Sequence, residues 1–271
     1  MEESRKEFKK KGLGVAAISY DSREVLRDFS RRKQITIPLL SDPDSKIIRA
    51  FGILNTSIQP GQPNYGIPFP GTYLVNQHGV VVSKFFEEDY RSRYAMGTVY
   101  TRLFGSPLNT RETVVENEHL TLTYYSSSDS AAMGNRLTLM ADVTLKPKMH
   151  LYAPGVDGYK PVEWKLVDSP GFKPSKLSLP SGKSLYLPAI KERVLVYERG
   201  LRISQDVDIS SNYRELKKMI GDSDQLVIEG ALSYQACDDK ICYLAKTLPL
   251  RWTIKLINPD SERVPEELRK R

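Results

Sequence analysis

The feature that most limits how this chain can fold is a pair of strand patterns, at residues 226–233 and 247–256, joined by the segment that holds its only two cysteines. Four residues separate Cys237 from Cys242, so the sequence predicts a β-hairpin whose closing pair is these two cysteines. Directly opposed residues in an antiparallel ladder have Cα atoms about 4.5 or 5.5 Å apart. A disulfide needs roughly 4.4 to 6.8 Å. The two sulfurs can therefore bond with little backbone movement.

Either a structural or a reactive disulfide is compatible with this hairpin. Closing so short a loop stabilises a fold by only about 2 kcal/mol through chain entropy, and a chain of 271 residues can bury a sufficient core without it. Paired cysteines at short spacing suit thiol–disulfide exchange. We therefore favour a redox function and keep a hairpin staple, or two ordinary reduced thiols, as alternatives.

Composition argues against several other classes of function. Hydrophobic residues make up 40% and charged residues 27% of the chain, which is typical of globular proteins. The net charge of +7 comes from scattered Lys and Arg, without the basic patch and stacking aromatics of a nucleic-acid interface. No apolar run approaches membrane-spanning length. Zinc needs four ligands, and His78, His119 and His150 are remote from the cysteines in sequence, so we expect no metal and no cofactor.

The first 108 residues follow an alternating helix and strand pattern. The apolar run 13–19 is typical of a buried parallel strand, and Asp21-Ser22 offers an N-cap for a helix that continues to Lys33. The other predicted elements are a strand at 35–40, a helix from Asp42 with Ile47, Ile48 and Phe51 facing inward, a hairpin of 72–76 and 80–83, and a helix at 90–104.

This half resembles the thioredoxin-like redoxins, in particular the alkyl hydroperoxide reductase/peroxiredoxin (AhpC/TSA) branch, in the phrases KKGLGVAAISYDS, ITIPLLSDPDSKIIRAFGI and IPFPGTYLVNQHGVVV. In that family the residue at Pro70 is a cis-proline beside the reactive cysteine, so the resemblance implies a cis bond and a site-shaping role for Pro70. The family's first central strand and its cysteine are expected before Glu2, and residues 1–233 contain no cysteine. We therefore expect an α/β domain that is incomplete at its N-terminus, with Met1 an internal start or a truncation.

From His119 onward the apolar period changes to two. Polar residues with Gly, Pro and Asn place a linker at 109–117. The segment 136–145 then alternates, with Leu137, Leu139, Ala141, Val143 and Leu145 on one face. Similar patterns recur at 120–125, 162–167, 193–198 and 201–209, and beside the cysteines. Several short strands with Gly/Pro turns predict an all-β sandwich.

Residues 117–257 look like the immunoglobulin-like N-terminal domain of the thiol:disulfide interchange protein DsbD. The resemblance rests on Tyr234-Gln235-Ala236-Cys237 with Cys242, and more loosely on 149–152 and 196–201. It implies exchange with thioredoxin-like proteins and an extracytoplasmic or periplasmic location, although the chain begins MEESRK and shows no secretory signal. It also implies that Cys242 links to the partner and that Cys237 resolves the mixed disulfide.

The same resemblance implies a mobile cap loop over the cysteine pair, at about residues 181–190, with Tyr186 as its aromatic lid. Asp238 and Asp239 oppose ionisation of the thiols and Lys240 favours it, so we expect a modest thiolate fraction. Four further side chains are expected to shape the site by walling it against small oxidants, with ordinary packing as the alternative for each: Tyr234, Tyr243, His150 and Tyr152.

Together these patterns predict a thioredoxin-like α/β domain (1–108), a linker (109–117), an immunoglobulin-like β-sandwich (118–257) and a charged tail (258–271). The favoured function is that of a thiol–disulfide oxidoreductase, which passes reducing equivalents through Cys237 and Cys242 to thioredoxin-like partners. Joining the halves would also favour transfer between them within one chain. Two alternatives stay open: a non-catalytic docking module with a structural disulfide, and a peroxiredoxin-type antioxidant enzyme whose active cysteine lies in a missing N-terminal segment.

Overall fold

A computed structural model describes residues 4–62, 64–86, 92–108, 110–187, 191–238, 240–257 and 265. Over these residues an α/β half is followed by a strand-rich half, which confirms the predicted fold classes. The elements of the first half are α1 (Arg5–Lys10), β1 (Ala17–Ser19), α2 (Arg23–Arg32), β2 (Leu39–Ser41), α3 (Lys46–Ala50), β3 (Gly71–Val75), β4 (Val81–Phe86), β5 (Arg93–Tyr94) and α4 (Met96–Phe104).

The second half consists of strands and one helix. Its elements are β6 (Thr113–Glu116), β7 (Leu120–Ser126), β8 (Ser130–Ala132), β9 (Asn135–Leu145), β10 (His150–Tyr152), β11 (Glu163–Leu166), β12 (Phe172–Pro174), β13 (Lys183–Leu187), β14 (Glu192–Tyr197), β15 (Gly200–Ile209), α5 (Tyr213–Ile220), β16 (Gln225–Tyr234), β17 (Ala236–Cys237) and β18 (Lys246–Ile257). Of the predicted tail, only Pro265 lies among the described residues.

In the first half, β1 pairs with β2 in parallel and β3 pairs with β4 antiparallel, as two separate ribbons. An apolar cleft of about 420 Å³ lies between them, and both ribbons and α3 line it. The Ser22 hydroxyl accepts a hydrogen bond from the Val25 amide, which confirms the predicted N-cap of α2. The prediction that Ile47 and Phe51 face a core is wrong, because both border this open cleft and are about half exposed, whereas Ile48 is buried.

The predicted cis bond at Pro70 is also wrong, since every peptide bond among the described residues is trans. The loop before Pro70 is held by backbone bonds to the end of α3, where the Phe69 amide donates to the Ile53 carbonyl over 2.7 Å. From there the chain enters β3 at Gly71. A trans bond is the default for X-Pro by about 0.5–1 kcal/mol, and residues 1–236 contain no cysteine beside which a cis bond could have a site-shaping role.

The junction between the halves is built by β5 and α4. The predicted helix at 90–104 begins only at Met96; residues 87–91 lie outside the described part, and Arg93–Tyr94 form β5. Strand β5 pairs in parallel with β9, and the amide of Ala95 donates to the carbonyl of Arg136 over 3.1 Å. This bond keeps Ala95 extended, so the helix cannot start earlier.

Helix α4 then packs closely on Ser127, directly after β7, and on β9, where the Thr98 hydroxyl donates to the Arg136 carbonyl. A Cβ on Gly97 would lie 1.9 Å from the carbonyl oxygen of Ser127, and the Thr98 hydroxyl contacts the Ser127 hydroxyl over 2.7 Å. The alternating face predicted for β9 is buried as expected. Its opposite face is buried too at Thr138 and Met140. The two halves therefore pack directly against each other at α4.

The sandwich packs a sheet in the order β12-β15-β9-β7-β6 against one in the order β11-β16-β18-β8. Leu139, Ile203, Ile228 and Trp252 belong to the single large core cluster between them. Residues 113–116 of the predicted linker form the edge strand β6, which pairs with β7. Its burial pattern is that of an edge strand, because the alternate residues Val114 and Glu116 are exposed.

Candidate redox site at the hairpin tip

A third, smaller sheet, in the order β13-β14-β10-β17, positions the cysteines. Strands β16 and β18 pair along their full length until Tyr234 opposes Lys246. The chain then leaves this ladder, and β17 pairs with β10 so that Cys237 lies opposite His150. The hairpin tip is thereby hydrogen-bonded to the smaller sheet, and this pairing fixes the backbone at Cys237.

Cys237 and Cys242 are joined by a disulfide, and their Cα atoms are 4.1 Å apart. They form an isolated antiparallel bridge, as the predicted closing pair requires. The two sulfurs differ in environment: Cys237 is 1% exposed, whereas Cys242 falls among the exposed residues. Cys242 is therefore the cysteine of the pair that an external thiolate can approach, and Cys237 is not.

The turn between the cysteines is held by Asp238. Its Oδ1 accepts hydrogen bonds from the amides of Lys240 and Ile241, and its Oδ2 accepts one from the Tyr243 hydroxyl. These bonds hold the pKa of the Asp238 carboxyl below its usual range and raise the pKa of Tyr243. The Asp238 side chain is thus a carboxylate that stabilises the turn by accepting three hydrogen bonds. Asp239, which the sequence also predicts to oppose thiolate formation, lies outside the described residues.

Tyr152 lies directly behind the disulfide. Its hydroxyl is 3.4 Å from the Sγ of Cys237 and 3.4 Å from the Sγ of Cys242, and its side chain is 0% exposed. Burial, followed by the nearby Tyr159 and Glu192, raises the pKa of Tyr152 to about 12. Tyr152 consequently keeps its proton at neutral pH and can donate a hydrogen bond to a sulfur. The ring of Tyr159 stacks on it at 4.2 Å.

The other three residues predicted to wall the site lie in two places: His150 lies beside Cys237, whereas Tyr234 and Tyr243 both contact His119. His150 is buried opposite Cys237, and its ring meets that of Tyr152 edge-on at 5.8 Å. Tyr243 packs at 4.6 Å against His119, which also contacts Tyr234. Tyr234 is 0% exposed and its hydroxyl accepts a hydrogen bond from Asn117. Only Tyr152 among the four has a hydrogen-bond distance to a sulfur; Tyr234 and Tyr243 support the base of the loop.

The predicted cap corresponds to the hairpin of β13 and β14, apart from residues 188–190, which lie outside the described part. Leu185 and Leu187 pack against the buried cluster that contains Tyr152 and Cys237. Tyr186 points away from this cluster because side chains alternate along a strand; it is 47% exposed, with Arg193 over its ring at 5.6 Å. The structure therefore does not bring Tyr186 to the disulfide.

Pro70 lies far from the cysteine pair. It lines a cavity between the halves together with Ile257, the last residue of β18. The cysteines lie beyond the opposite end of that strand, which starts at Lys246. At about 3.3 Å per residue, β18 spans roughly 36 Å. Pro70 and the disulfide are therefore at opposite ends of the sandwich.

Several supporting residues were not predicted from the sequence. Tyr159 stacks on Tyr152, Asn117 binds Tyr234, and Gln235 donates its amide to the Tyr243 carbonyl over 3.0 Å. All three are ordinary polar or aromatic residues whose roles depend on long-range contacts. Only Gln235 could have been proposed as a site residue from the sequence, because it lies two residues before Cys237.

The described residues contain no group of three or more His, Cys, Asp or Glu placed to hold a metal ion. Within those ranges no helix has the length and apolar character needed to cross a membrane.

Two parts of this chain match families of thiol–disulfide redox proteins. Residues 1–84 match the AhpC/TSA family, and residues 123–250 match the N-terminal domain of thiol:disulfide interchange protein DsbD. The sequence predicts both resemblances, and both are confirmed. The second match contains Cys237 and Cys242 and most of the β-sandwich that carries them.

Named relatives match the first half. A putative peroxiredoxin of Mycobacterium tuberculosis is 34% identical over 76 residues, which are 28% of this chain and 48% of the relative. The putative peroxiredoxin bcp of Haemophilus influenzae is 28% identical over 102 residues, 38% of this chain and 65% of the relative. The chain thus spans between about half and two thirds of the length of these relatives.

Solved structures resemble the chain distantly. One is the N-terminal periplasmic domain of ScsB from Proteus mirabilis, at 15% identity and a TM-score of 0.33, covering 54% of this chain and 50% of that one. Another is the reduced DsbD N-terminal domain of Neisseria meningitidis, at 10% identity and a TM-score of 0.28, covering 52% of this chain and 82% of that one.

Proposed function

We propose that the protein is a thiol–disulfide oxidoreductase that passes reducing equivalents through Cys237 and Cys242 to thioredoxin-like proteins. The observation that carries this proposal is the asymmetry of the pair, in which Cys242 is an exposed residue and Cys237 is 1% exposed. A structural staple needs no such difference. Exchange does, because one sulfur must receive an external thiolate while the other acts as internal leaving group and resolver.

In the oxidised form, a thiolate of a reduced donor protein attacks the Sγ of Cys242. A new disulfide forms between the donor and Cys242, the bond between Cys237 and Cys242 breaks, and Cys237 leaves as a thiolate. The donor's second thiolate then attacks the donor sulfur of this mixed disulfide and releases Cys242. The donor ends as a disulfide and the protein as a dithiol, so two electrons have been transferred.

Passing the electrons on reverses these steps with an oxidised acceptor. The thiolate of Cys242 attacks the acceptor disulfide and joins one of its sulfurs, while the other acceptor sulfur leaves as a thiolate. Cys237 then attacks Cys242, re-forms the internal disulfide and releases the acceptor as a dithiol. Cys237 needs no access to solvent in either direction, in keeping with its burial.

Tyr152 has the geometry to assist the departure of Cys237. A free cysteine has a pKa of about 8.5, well below the value of about 12 for Tyr152. The hydroxyl therefore does not transfer its proton to the thiolate but donates a hydrogen bond to it. Such a bond lowers the pKa of the buried thiol, and a leaving thiol of lower pKa departs faster.

The donor and acceptor in this proposal are separate proteins. Transfer between the two halves of one chain would need a second centre near Pro70, which is about the length of β18 away from the disulfide. The interface formed by β5 and α4 fixes that separation. A high effective concentration helps only when the geometry allows both sites to meet.

The test is the reduction potential of the pair, measured by equilibration against a dithiothreitol redox buffer and alkylation of free thiols. We expect a value above about −300 mV, together with rapid exchange with thioredoxin. A value well below this limit, with no exchange, would mark the bond as structural. The protein would then be a docking module rather than an oxidoreductase.

A further inference from the structure

A polar groove lies where the C-terminal end of α4 meets β9, β15 and the segment that follows β12. Its volume is about 470 Å³, which is in the range of small-molecule sites. None of the residues that contact the disulfide lines it. The groove is therefore a feature separate from the redox centre.

Three cationic side chains and one carboxylate line the groove among the described residues. The cations are Arg102, Lys176 and Arg202, and the carboxylate is that of Asp206. Asp206 is already engaged, because its Oδ1 accepts a hydrogen bond from the Thr138 hydroxyl over 2.7 Å and its Oδ2 accepts one from Arg102. The lining of the groove thus carries a net positive charge.

The two guanidinium groups are held in place by the protein. Arg202 donates two hydrogen bonds to Asp142 and one to the carbonyl of Gly105, the residue that follows α4. The bond to Gly105 offsets the partial negative charge at the C-terminal end of α4, which would otherwise disfavour an anion. Arg102 lies over the ring of Tyr94 at 4.8 Å. Donors that are fixed in this way lose little entropy when a ligand binds.

Other donors of the groove have no partner within the part of the chain that the structure describes. The Lys176 ammonium group forms no ion pair there, and the hydroxyls of Ser175, Ser178 and Ser204 make no hydrogen bond. Thr101 also lines the groove; it is 7% exposed, and its hydroxyl has no hydrogen-bond partner among the same residues. A buried hydroxyl without a partner costs free energy, and a ligand oxygen at this wall would remove that cost.

We propose that this groove binds the phosphate group of a small organic phosphate. Such a group carries a charge of about −1.5 to −2 at pH 7 and three strong acceptor oxygens. It therefore suits a positively charged site that has more free donors than the two oxygens of a carboxylate can use. The volume of the groove exceeds what a phosphate ion needs and leaves room for the organic part of the ligand.

The test is a titration of the full chain with inorganic phosphate and with glycerol phosphate, followed by amide NMR shifts at an ionic strength kept constant with sodium chloride. Lys176→Met removes the unpaired cation, and Thr101→Val removes the buried hydroxyl without changing the net charge. Lys173→Met is the matched control, because it removes the same charge from β12 and Lys173 does not line the groove.

We expect saturable shifts at the amides of Gly105, Ser178 and Ser204, with glycerol phosphate bound at least as tightly as inorganic phosphate. The dissociation constant should rise about tenfold in Lys176→Met, which loses a hydrogen bond to a charged group. In Thr101→Val it should rise about threefold or more, the range of one neutral hydrogen bond. Lys173→Met should bind like the original protein.

Three outcomes would overturn the proposal. The first is a set of shifts that do not saturate up to about 50 mM of either phosphate, or that sodium chloride reproduces, since these would reflect ionic strength alone. The second is an equal loss of affinity in Lys173→Met and Lys176→Met, because phosphate would then respond to the net charge of the chain. The third is an unchanged affinity in both Lys176→Met and Thr101→Val, which would place the phosphate outside the groove.

Discussion

Replacing Tyr152 by Phe tests the chemistry of the site with the least disturbance of its structure. The substitution removes one hydroxyl and leaves the fully buried ring in place. That hydroxyl lies 3.4 Å from each sulfur. In the disulfide it contacts neutral sulfur, so we expect little change in the stability of the oxidised protein. In the reduced protein it can donate to the thiolate of Cys237, where its loss matters.

The magnitude follows from the strength of one hydrogen bond to a charged group, about 1.5–3 kcal/mol. One pKa unit corresponds to about 1.4 kcal/mol. The pKa of the Cys237 thiol should therefore rise by about one to two units in Tyr152→Phe. Because Cys237 is the leaving group, dithiothreitol should also reduce the disulfide of this variant more slowly.

The assay is the pH dependence of thiolate absorbance in a Cys242→Ser background, where Cys237 is the only thiol. Tyr159→Phe is the matched control, since it removes a hydroxyl from the ring stacked on Tyr152 and no sulfur contact to Tyr159 is seen. An unchanged Cys237 pKa in Tyr152→Phe, or an equal rise in Tyr159→Phe, would refute the assigned role of the hydroxyl.

Three further predictions concern stability and the turn. Gly97→Ala should lower the free energy of unfolding by about 1–3 kcal/mol or more in urea titrations, because its Cβ would meet the Ser127 carbonyl at 1.9 Å, whereas exposed Gly14→Ala, with no atom near, should be neutral. Burial lowers the pKa of His119, and neither of its ring nitrogens makes a hydrogen bond within the described residues. The stability due to neutral His119 is thus fully present above its unfolded pKa near 6.5 and declines as the pH falls below it. His119→Phe should flatten the acid-side fall of the melting temperature between about pH 7 and 5, and exposed His78→Phe should not. Asp238→Ala should accelerate hydrogen exchange at the amides of Lys240 and Ile241; an unchanged exchange rate would show that the carboxylate does not hold the turn.

Long periodic segments were predictable from the sequence alone. The alternation at 136–145 and at 247–256 matches β9 and β18 closely, since a strand with one face on a large core requires apolar residues at every second position. The closing pair at Cys237 and Cys242 followed from the same reasoning. The asymmetry in their exposure did not, because it depends on the pairing of β17 with β10.

Short or polar strands were missed. The strands β8, β10 and β12 have three residues each, too few for a period to be recognised. The edge strand β6 has only four residues and lies in a polar segment whose composition indicates a linker. The start of α4 was misplaced because the pairing of β5 with β9 overrides the helical pattern of the preceding residues.

The predicted site residues lie at different distances from the disulfide. Tyr152 lies beside both sulfurs, and its role in shielding them stays a prediction. Tyr186 lies on the outer face of its hairpin, since a one-residue difference in register exchanges the two faces of a strand. Pro70 lies about a strand's length from the cysteines, because the arrangement of the two halves is set by α4 and cannot be read from either half separately.

The most direct test of the account is to trap the mixed disulfide with a thioredoxin variant that lacks its resolving cysteine. Cys237→Ser and Cys242→Ser proteins are each incubated with this variant activated as a mixed disulfide with thionitrobenzoate, and the products are resolved on non-reducing gels and by mass spectrometry. The account predicts a covalent complex through Cys242 in Cys237→Ser and little or none in Cys242→Ser. Equal trapping by both proteins, or trapping only through Cys237, would contradict it.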